Sequence, residues 1–332
     1  MENVAFSWAS RIFNIRDRQT FEKLAMEAFL YQFTHCDIYR RFAEGIGCRA
    51  DNVKQLEEIP FLPIEFFKTQ KVVSFEGKEE CVFLSSGTTG MTPARHYIRS
   101  LALYRESFLN AFTQMVGNPK EFVFLVLLPS YLEREGSSLI YMVKTLMEVS
   151  GHPENRFYLH HLEELAEDLE QLYAQGKKII LFGVTYALLD LITLKHFQLP
   201  NLTVFETGGM KGRRKELLRS ELHQELRAGF GVEKIYSEYG MAELLSQAYT
   251  EGGEIFHTPA WMRVLIRDRY DPLSVSAKSE SKGGINVIDL ANIHSCCFIA
   301  TQDLGCICEN GGFSVLGRFD QSDIRGCNLL VN

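Results

Sequence analysis

The feature that most constrains this 332-residue chain is an alternation of short apolar runs and amphipathic segments between about residues 100 and 240. The apolar runs FVFLVLLP, KIILFG, LTVFETGG and KIYSEYG have the length of buried strands. Segments with helical spacing separate them, at 100–116, 138–149, 162–175 and 215–228. Strands that alternate with helices predict an α/β fold in which helices cover a parallel sheet.

The N-terminal part of the chain has a different pattern. Residues 18–45 carry apolar side chains at helical spacing, which predicts a helical N-terminal region over 1–70. Residues 59–68 (IPFLPIEFFK) hold two prolines and read as an extended connector. The segments VVSF at 72–75 and CVFLSS at 81–86 are predicted strands.

The pattern changes again toward the C-terminus. Beyond residue 252 short apolar runs are separated by turn residues, which predicts a small β subdomain over 252–317. This subdomain is expected to pack on the α/β sheets of 71–251, completing a core of residues 1–317. Residues 318–332 are interpreted as a short C-terminal remnant.

Composition excludes several classes of protein. A formal net charge of -7 gives no basic surface for nucleic acid. Charged residues interrupt the first 18 positions, and no run of 18 uncharged apolar residues occurs, so neither a secretory signal nor a membrane span is predicted. The expected location is the cytoplasm.

Eight cysteines are scattered through the chain, which fits a reducing compartment. Four of them, Cys296, Cys297, Cys306 and Cys308, lie within thirteen residues. Thiolates at such positions can hold zinc, although no CxxC spacing is present. The alternative is that they are small core residues of a strand.

The sharpest local signal is FLSSGTTGMTPARH, residues 83–96, in which a predicted strand runs into hydroxyl pairs bracketed by glycines. Glycine permits close backbone approach, and hydroxyls with successive amides can form an anion nest, so phosphate is the natural ligand. A Walker P-loop is excluded because Met91 follows the second glycine, where a lysine is required. Strings of this composition also form surface turns.

Four further segments carry polar groups at predicted strand ends. IYSEYGMAE (235–243) places Glu243 in a turn, where it is either an Mg²⁺ ligand or a helix-dipole partner. FETGGMKG (205–212) offers glycines that allow a flat base to lie against the backbone. ATQDLG (300–305) places Asp303 in a turn after a strand, where its carboxylate can accept hydrogen bonds from a ribose, and LGRFDQSDIRGC (316–327) places Arg318 nearby.

In this order the five segments resemble the motifs of the adenylate-forming enzymes, the superfamily of acyl-CoA synthetases. The resemblance implies an ATP- and Mg²⁺-dependent ligase with an adenylation core. Phosphate contacts then fall to Ser85, Ser86, Gly87, Thr88, Thr89 and Gly90. It also assigns Mg²⁺ to Glu243 and Thr89, ribose to Asp303, and ribose or α-phosphate to Arg318. The adenine and acyl pocket is bordered by Glu206, Thr207, Gly208, Gly209, Ser237, Glu238, Tyr239 and Gly240.

The ending GRFDQSDIRGCNLL, with the segments 128–142 and 256–268, resembles the LuxE-type acyl-protein synthetases. Members of the superfamily continue past GRxD into a C-terminal lid domain, which is expected to be largely missing here. This branch is an acid–thiol ligase that converts a fatty acid to acyl-AMP and then carries it as a thioester on a C-terminal cysteine. Cys327 is the candidate acceptor, and its alternative is a small buried residue.

The resemblance implies a fatty or other carboxylic acid as substrate and an acyl reductase as partner. Two alternatives remain open. One is an aryl- or acyl-CoA ligase of the phenylacetate type, and the other is a nucleotide-binding scaffold without catalysis.

Overall fold

The computed structural model describes residues 8–85, 92–129, 136–208 and 219–319. A short helical segment at 8–12 precedes the labelled helices. These are α1 (Arg18–His35), α2 (Asp37–Gly45), α3 (Phe66–Thr69), α4 (Leu101–Met115), α5 (Ser138–Ser150), α6 (Leu162–Ala174), α7 (Thr185–Leu194) and α8 (Arg219–Phe230).

The first strands are β1 (Leu62–Pro63), β2 (Cys81–Leu84), β3 (Arg95–Ile98), β4 (Val123–Leu127), β5 (Arg156–Tyr158), β6 (Ile179–Val184), β7 (Thr203–Thr207) and β8 (Ile235–Tyr239). The others are β9 (Ala248–Thr250), β10 (Ile255–His257), β11 (Met262–Arg267), β12 (Val275–Ser276), β13 (Lys282–Asp289), β14 (Phe298–Ile307) and β15 (Phe313–Arg318).

The predicted parallel sheet is confirmed. Strands β5, β4, β6, β7 and β8 are neighbours in this order, and each adjacent pair is parallel. All residues of β4 and β6 are buried, as expected for strands covered on both faces. The carboxyl ends of β7 and β8 therefore lie side by side, and they carry Thr207 and Tyr239.

The same sheet continues without a break into the antiparallel part. Strand β9 pairs with β8, and the order then runs through β10, β15, β14, β13 and β11 to β12. The short strand β1 pairs in parallel with β14, and β2 forms a separate hairpin with β3. The strands after residue 252 thus share backbone hydrogen bonds with the α/β core.

Local sequence explains where the helices begin. The side chains of Asp17, Ser100 and Ser137 accept hydrogen bonds from backbone amides in the first turns of α1, α4 and α5. Ser137 is accordingly the N-cap of α5, and Ser138 is the first residue of the helix. Helix α5 ends at Ser150 and is capped by Gly151, whose φ of 70° is the left-handed conformation that glycine favours.

The N-terminal helices pack on the antiparallel part of the sheet. The rings of Phe29, Tyr39 and Phe61 surround Phe298 on β14. The buried amide of Gln32 donates to the carbonyl oxygens of Asn292 and Ile293, each at 3.1 Å. The N-terminal region is therefore part of the main hydrophobic core.

Two expectations about the segment before β2 need correction. Residues 72–75 are not a strand, because Val72 and Ser74 instead bond to the loop at 293–295. The connector at 59–68 is not uniformly extended, since it contains β1 and then the short helix α3. Across the described residues, the helices are too short or too polar to cross a membrane.

Candidate adenylation site

The buried carboxylate of Asp303 is bonded to one neutral and one cationic side chain. The hydroxyl of Tyr239 donates to Asp303 Oδ2 at 2.9 Å, and Arg318 Nε donates to Asp303 Oδ1 at 3.1 Å. Asp303 and Arg318 are register partners on β14 and β15. The structure thus brings Asp303 and Arg318 together, as the sequence predicts. The expected turn at Asp303 is wrong, because the residue lies within β14.

Asp303 and Arg318 differ strongly in their exposure to solvent. The Asp303 side chain is 9% exposed, whereas that of Arg318 is 79% exposed. Arg318 therefore neutralises the carboxylate with Nε while most of its side chain remains exposed. Burial raises the pKa of Tyr239, and the adjacent Asp303 charge raises it further, so the phenol remains a hydrogen-bond donor.

Glu243 lies in a turn, as predicted, between β8 and β9. Its side chain is buried, and desolvation raises the pKa of its carboxyl to about 7. The positive charges of Lys68 and Arg318 lower this pKa and the Asp303 carboxylate raises it. Glu243, Asp303 and Arg318 thus share one electrostatic environment, although they come from three separate segments.

The Glu243 carboxylate fits a divalent cation. Among the described residues the Glu243 carboxyl forms no ion pair, so its oxygens are available to a cation, and bound Mg²⁺ would favour the ionised form that desolvation opposes. Mg²⁺ prefers carboxylate oxygens together with substrate phosphates, and Glu243 supplies the first of these. Thr89, the other predicted Mg²⁺ ligand, lies outside the described residues.

The segment predicted to bind phosphate lies between β2 and β3 in the sequence, and these two strands form a hairpin. Ser85 N donates to Ala94 O at 3.1 Å, and Ala94 N donates to Ser85 Oγ at 2.9 Å, which extends the hairpin by one pair. Ser85, the first of the predicted phosphate ligands, is therefore fixed by Ala94. The other predicted phosphate ligands, Ser86, Gly87, Thr88, Thr89 and Gly90, lie outside the described residues.

Glu206 and Ser237 face one side of the sheet as register partners on β7 and β8. Ser237 Oγ donates to Glu206 Oε2 at 3.1 Å, and Thr185 Oγ1 donates to Glu206 Oε1 at 2.5 Å. His223 Nε2 lies 3.3 Å from Ser237 Oγ. Desolvation lowers the pKa of His223, which favours its neutral form. This buried network joins Glu206 and Ser237, which were predicted to border the pocket, to Thr185 and His223, which were not predicted.

Thr207 and Glu238 face the opposite side of the sheet. Thr207 Oγ1 donates to Glu238 Oε2 at 3.2 Å, and desolvation raises the pKa of the partly accessible Glu238 carboxyl to about 7. A Cβ at position 240 would lie 2.1 Å from Glu238 Oε1, so a larger residue there would displace the end of the Glu238 side chain. Gly208 follows β7 at the surface, and Gly209 lies outside the described residues.

The cysteine predictions separate into two groups. Cys327, the predicted acyl acceptor, lies outside the described residues. Cys296 and Cys297 are buried, and burial raises the pKa of both thiols well above its usual value. This opposes the thiolate form that zinc requires. In the described part of the chain, no group of three or more His, Cys, Asp or Glu residues is arranged to hold a metal.

The structure also reveals residues that sequence reasoning missed. His96 and Asn292 bond to the turn that holds Glu243, and Thr185 and His223 bond to the Glu206–Ser237 pair. His96 is 146 residues from Ala242, and Asn292 is 49 residues from Glu243. The location of His96 just after the Gly/Ser/Thr-rich segment was the single available signal.

Comparison with solved structures agrees with an adenylate-forming fold. The structure of a 2-hydroxyisobutyryl-CoA ligase with 2-HIB-AMP matches 91% of this chain and 68% of its own, with a TM-score of 0.65 and 14% identity. ATP-bound MatB from Rhodopseudomonas palustris matches 73% of this chain with a TM-score of 0.53 and 18% identity. The match spans 49% of the MatB chain, about half its length. The predicted fold class is therefore confirmed.

Sequence comparison gives the family. A long-chain-fatty-acid–luciferin-component ligase of Vibrio harveyi is 23% identical over 95% of this chain and 88% of its own length. A protein of the same name from Photorhabdus luminescens is 36% identical over 71 residues, 21% of this chain and 60% of its own. The family model described as acyl-protein synthetase, LuxE, matches residues 9–332. Because that match covers nearly all of the sequence, the chain belongs to the LuxE family of acyl-protein synthetases.

Proposed function

We propose that this chain uses ATP to convert a fatty acid to an acyl-adenylate, transfers the acyl group to Cys327, and passes it to a partner such as an acyl reductase. The observation that carries the first step is the convergence of Glu243, Asp303 and Arg318 in one electrostatic environment. Membership of the LuxE family supports the same chemistry. The named relative in Vibrio harveyi supports a long-chain acid as substrate.

The described residues divide the recognition of ATP between them. Asp303 accepts hydrogen bonds from ribose hydroxyls, while Tyr239 and Arg318 hold its carboxylate in place. The exposed part of the Arg318 side chain is left to contact the α-phosphate when ATP binds. Glu243 holds Mg²⁺, which supplies charge neutralisation for the phosphates when it is bound. Ser85 fixes the start of the segment expected to surround the β- and γ-phosphates.

The first reaction is a substitution at phosphorus. A carboxylate oxygen of the acid attacks the α-phosphorus, the bond from that phosphorus to the bridging oxygen breaks, and pyrophosphate leaves with the electron pair. The acid is already ionised at neutral pH, so no general base is required. Orientation of the two reactants and stabilisation of phosphate charge by Arg318 therefore account for the catalysis.

The second reaction moves the acyl group to sulfur. The Cys327 thiolate attacks the acyl carbonyl carbon, a thioester forms, and AMP leaves with the electrons of the carbon–oxygen bond. Cationic neighbours favour a thiolate, and Arg325 is two residues from Cys327 in the sequence. The thioester retains the energy needed for transfer to a partner protein.

Exchange of labelled pyrophosphate into ATP tests the adenylation step. Purified protein with Mg²⁺ is expected to catalyse the exchange when a fatty acid is added, because adenylation is reversible. A panel of acids of different chain length identifies the preferred substrate. Absence of exchange with every acid would favour the non-catalytic nucleotide-binding scaffold.

A CoA ligase is the competing enzymatic function, and the structural neighbour with a bound acyl-AMP is named as one. The acyl acceptor distinguishes the two functions. We expect a hydroxylamine-sensitive acyl label on the protein itself without CoA. AMP release that depends entirely on CoA, with no protein label, would identify a CoA ligase.

A further inference from the structure

The turn that carries Glu243 is held at its far end by Asp289. We call residues 240–247, between β8 and β9, the Glu243 turn. Asp289 Oδ2 accepts hydrogen bonds from the amides of Leu245 at 2.8 Å and Ser246 at 3.0 Å. Asp289 Oδ1 accepts the Ser246 hydroxyl at 2.6 Å. These contacts fix the part of the turn that leads into β9.

The near end of the Glu243 turn is held by Asn292 and His96. Asn292 Nδ2 donates to the carbonyl oxygen of Glu243 itself at 2.8 Å. The same carboxamide places Oδ1 2.9 Å from His96 Nε2, and His96 Nδ1 lies 2.8 Å from Ala242 O. His96, Asn292 and Glu243 are all buried, so water does not compete for the hydrogen bonds between them.

The imidazole of His96 faces oxygen atoms on both sides. Burial lowers the pKa of His96 to about 4, so the neutral ring has a single N–H and donates to either Ala242 O or Asn292 Oδ1, but not to both at once. Asn292 is oriented independently, because Gln32 donates to its backbone oxygen at 3.1 Å. The Glu243 turn is therefore tied to β3 and to helix α1 through two side chains.

We propose that Asn292 and His96 are positioning residues that hold the Glu243 carboxylate for a divalent cation. The inference rests on the proposed function, since it concerns the metal that accompanies ATP. Neither side chain is assigned a contact with substrate. Their contribution is to restrict the backbone at 242–243, so that Glu243 does not have to be ordered when the metal binds.

The connection to β3 gives this arrangement a second consequence. Strand β3 follows the segment 86–91 that is expected to contact the phosphates, and His96 is its second residue. His96 thus joins that strand directly to Ala242, the neighbour of Glu243.

The test measures metal affinity separately from turnover. Mn²⁺ binding is followed by electron paramagnetic resonance with α,β-methylene ATP, in the wild type and in His96→Phe and Asn292→Leu. We expect Mn²⁺ to bind about ten-fold more weakly in both variants, the effect typical of residues that orient metal ligands. His96→Gln, which keeps a donor, is expected to recover most of the affinity.

His294→Phe is the matched control. His294 is two residues from Asn292, packs edge-on against Phe75, and has ring nitrogens without a hydrogen-bond partner in the described residues. Its replacement is expected to leave Mn²⁺ affinity unchanged. Asn292→Ser, whose shorter side chain does not reach Glu243 O, is the second variant if Asn292→Leu does not fold.

Three outcomes are distinguished. Weaker Mn²⁺ binding in variants that melt at the wild-type temperature supports the positioning role. Wild-type Mn²⁺ affinity in folded His96→Phe and Asn292→Ser proteins overturns it, even if pyrophosphate exchange proceeds as proposed. Absence of both exchange and nucleotide-dependent Mn²⁺ binding in the wild type would overturn the proposed function as well.

Discussion

The hydroxyl of Tyr239 on β8 donates a 2.9 Å hydrogen bond to Oδ2 of Asp303 on β14, although three strands separate β8 from β14 in the order of the sheet. A flat sheet would place these residues far apart, since adjacent strands are about 4.8 Å apart. The sheet therefore curls between them. The rings of Phe256 and Phe313, from the intervening strands β10 and β15, pack against Tyr239 within the curve.

Replacement of Tyr239 tests whether this contact prepares Asp303 for ribose. Tyr239→Phe keeps the ring packing and removes one hydrogen bond to a charged acceptor, which is worth about 1.5 kcal/mol. We expect KM for ATP in the exchange reaction to rise about ten-fold, with a smaller change in kcat. Tyr249→Phe is the control, because the Tyr249 hydroxyl instead contacts Met142 Sδ. Equal KM values in both variants would refute the role.

Glu243→Gln tests the metal ligand. The amide retains the size of the side chain but loses the charge that binds Mg²⁺, so exchange at fixed Mg²⁺ is expected to fall by at least about 100-fold. Part of the activity should return as Mg²⁺ is raised. Glu251→Gln, at an exposed position after β9, controls for the loss of one negative charge. Unchanged exchange in Glu243→Gln would remove Glu243 from the metal site.

Glu238 predicts a dependence of stability on pH. Its carboxyl has a pKa near 7 in the folded protein, above the ordinary value of 4.5, because desolvation disfavours the charged form. Between pH 4.5 and pH 7 this carboxyl is ionised in the unfolded chain but still protonated in the folded protein. The free energy of unfolding therefore falls as pH rises through this range, and the decrease is complete above about pH 7. We expect Glu238→Gln to gain stability relative to the wild type from pH 5 to pH 7.5.

Urea denaturation at several pH values measures that difference, with Glu233→Gln as an exposed control on the segment before β8. Comparison with the wild type at each pH cancels the contributions of other titrating groups. A difference between Glu238→Gln and wild type that does not change with pH would show that Glu238 ionises normally.

Cys327→Ser separates the two proposed reactions. Adenylation does not involve the thiol, so pyrophosphate exchange should remain within about two-fold of the wild type, a change of less than 0.5 kcal/mol in barrier. The hydroxylamine-sensitive label from radioactive fatty acid should disappear. Cys306→Ser and Cys308→Ser, at partly accessible thiols, are expected to keep the label. Persistent labelling of Cys327→Ser would place the acceptor at another residue.

Much of the α/β core could be predicted from local pattern. The apolar runs at 122–129 and 178–183 became β4 and β6, and the helical spacing at 100–116 and 162–175 became α4 and α6. Burial on both faces of a strand requires a continuous apolar run, and burial of one helix face requires a 3.6-residue period. These signals are local, so the boundaries were accurate to about one or two residues.

Local pattern failed where tertiary contacts decide the conformation. The apolar string at 72–75 is no strand, because its polar backbone groups are satisfied by residues 293–295. Asp303 lies within β14, because its charge is compensated by Arg318 on the adjacent strand. Both the hydrogen-bond partners of residues 72–75 and the cation that neutralises Asp303 lie outside a short window of sequence.

The amino-acid sequence by itself determined the order of the chemical groups: a hydroxyl- and glycine-rich segment, then Glu243, Asp303 and Arg318. It also determined that parallel strands bring the ends of β7 and β8 together. Only the tertiary structure decided that Tyr239 contacts Asp303 and that His96 and Asn292 hold the Glu243 turn. These contacts depend on curvature of the sheet and on pairings up to 196 residues apart, which arise from global packing and leave no periodic trace in the sequence.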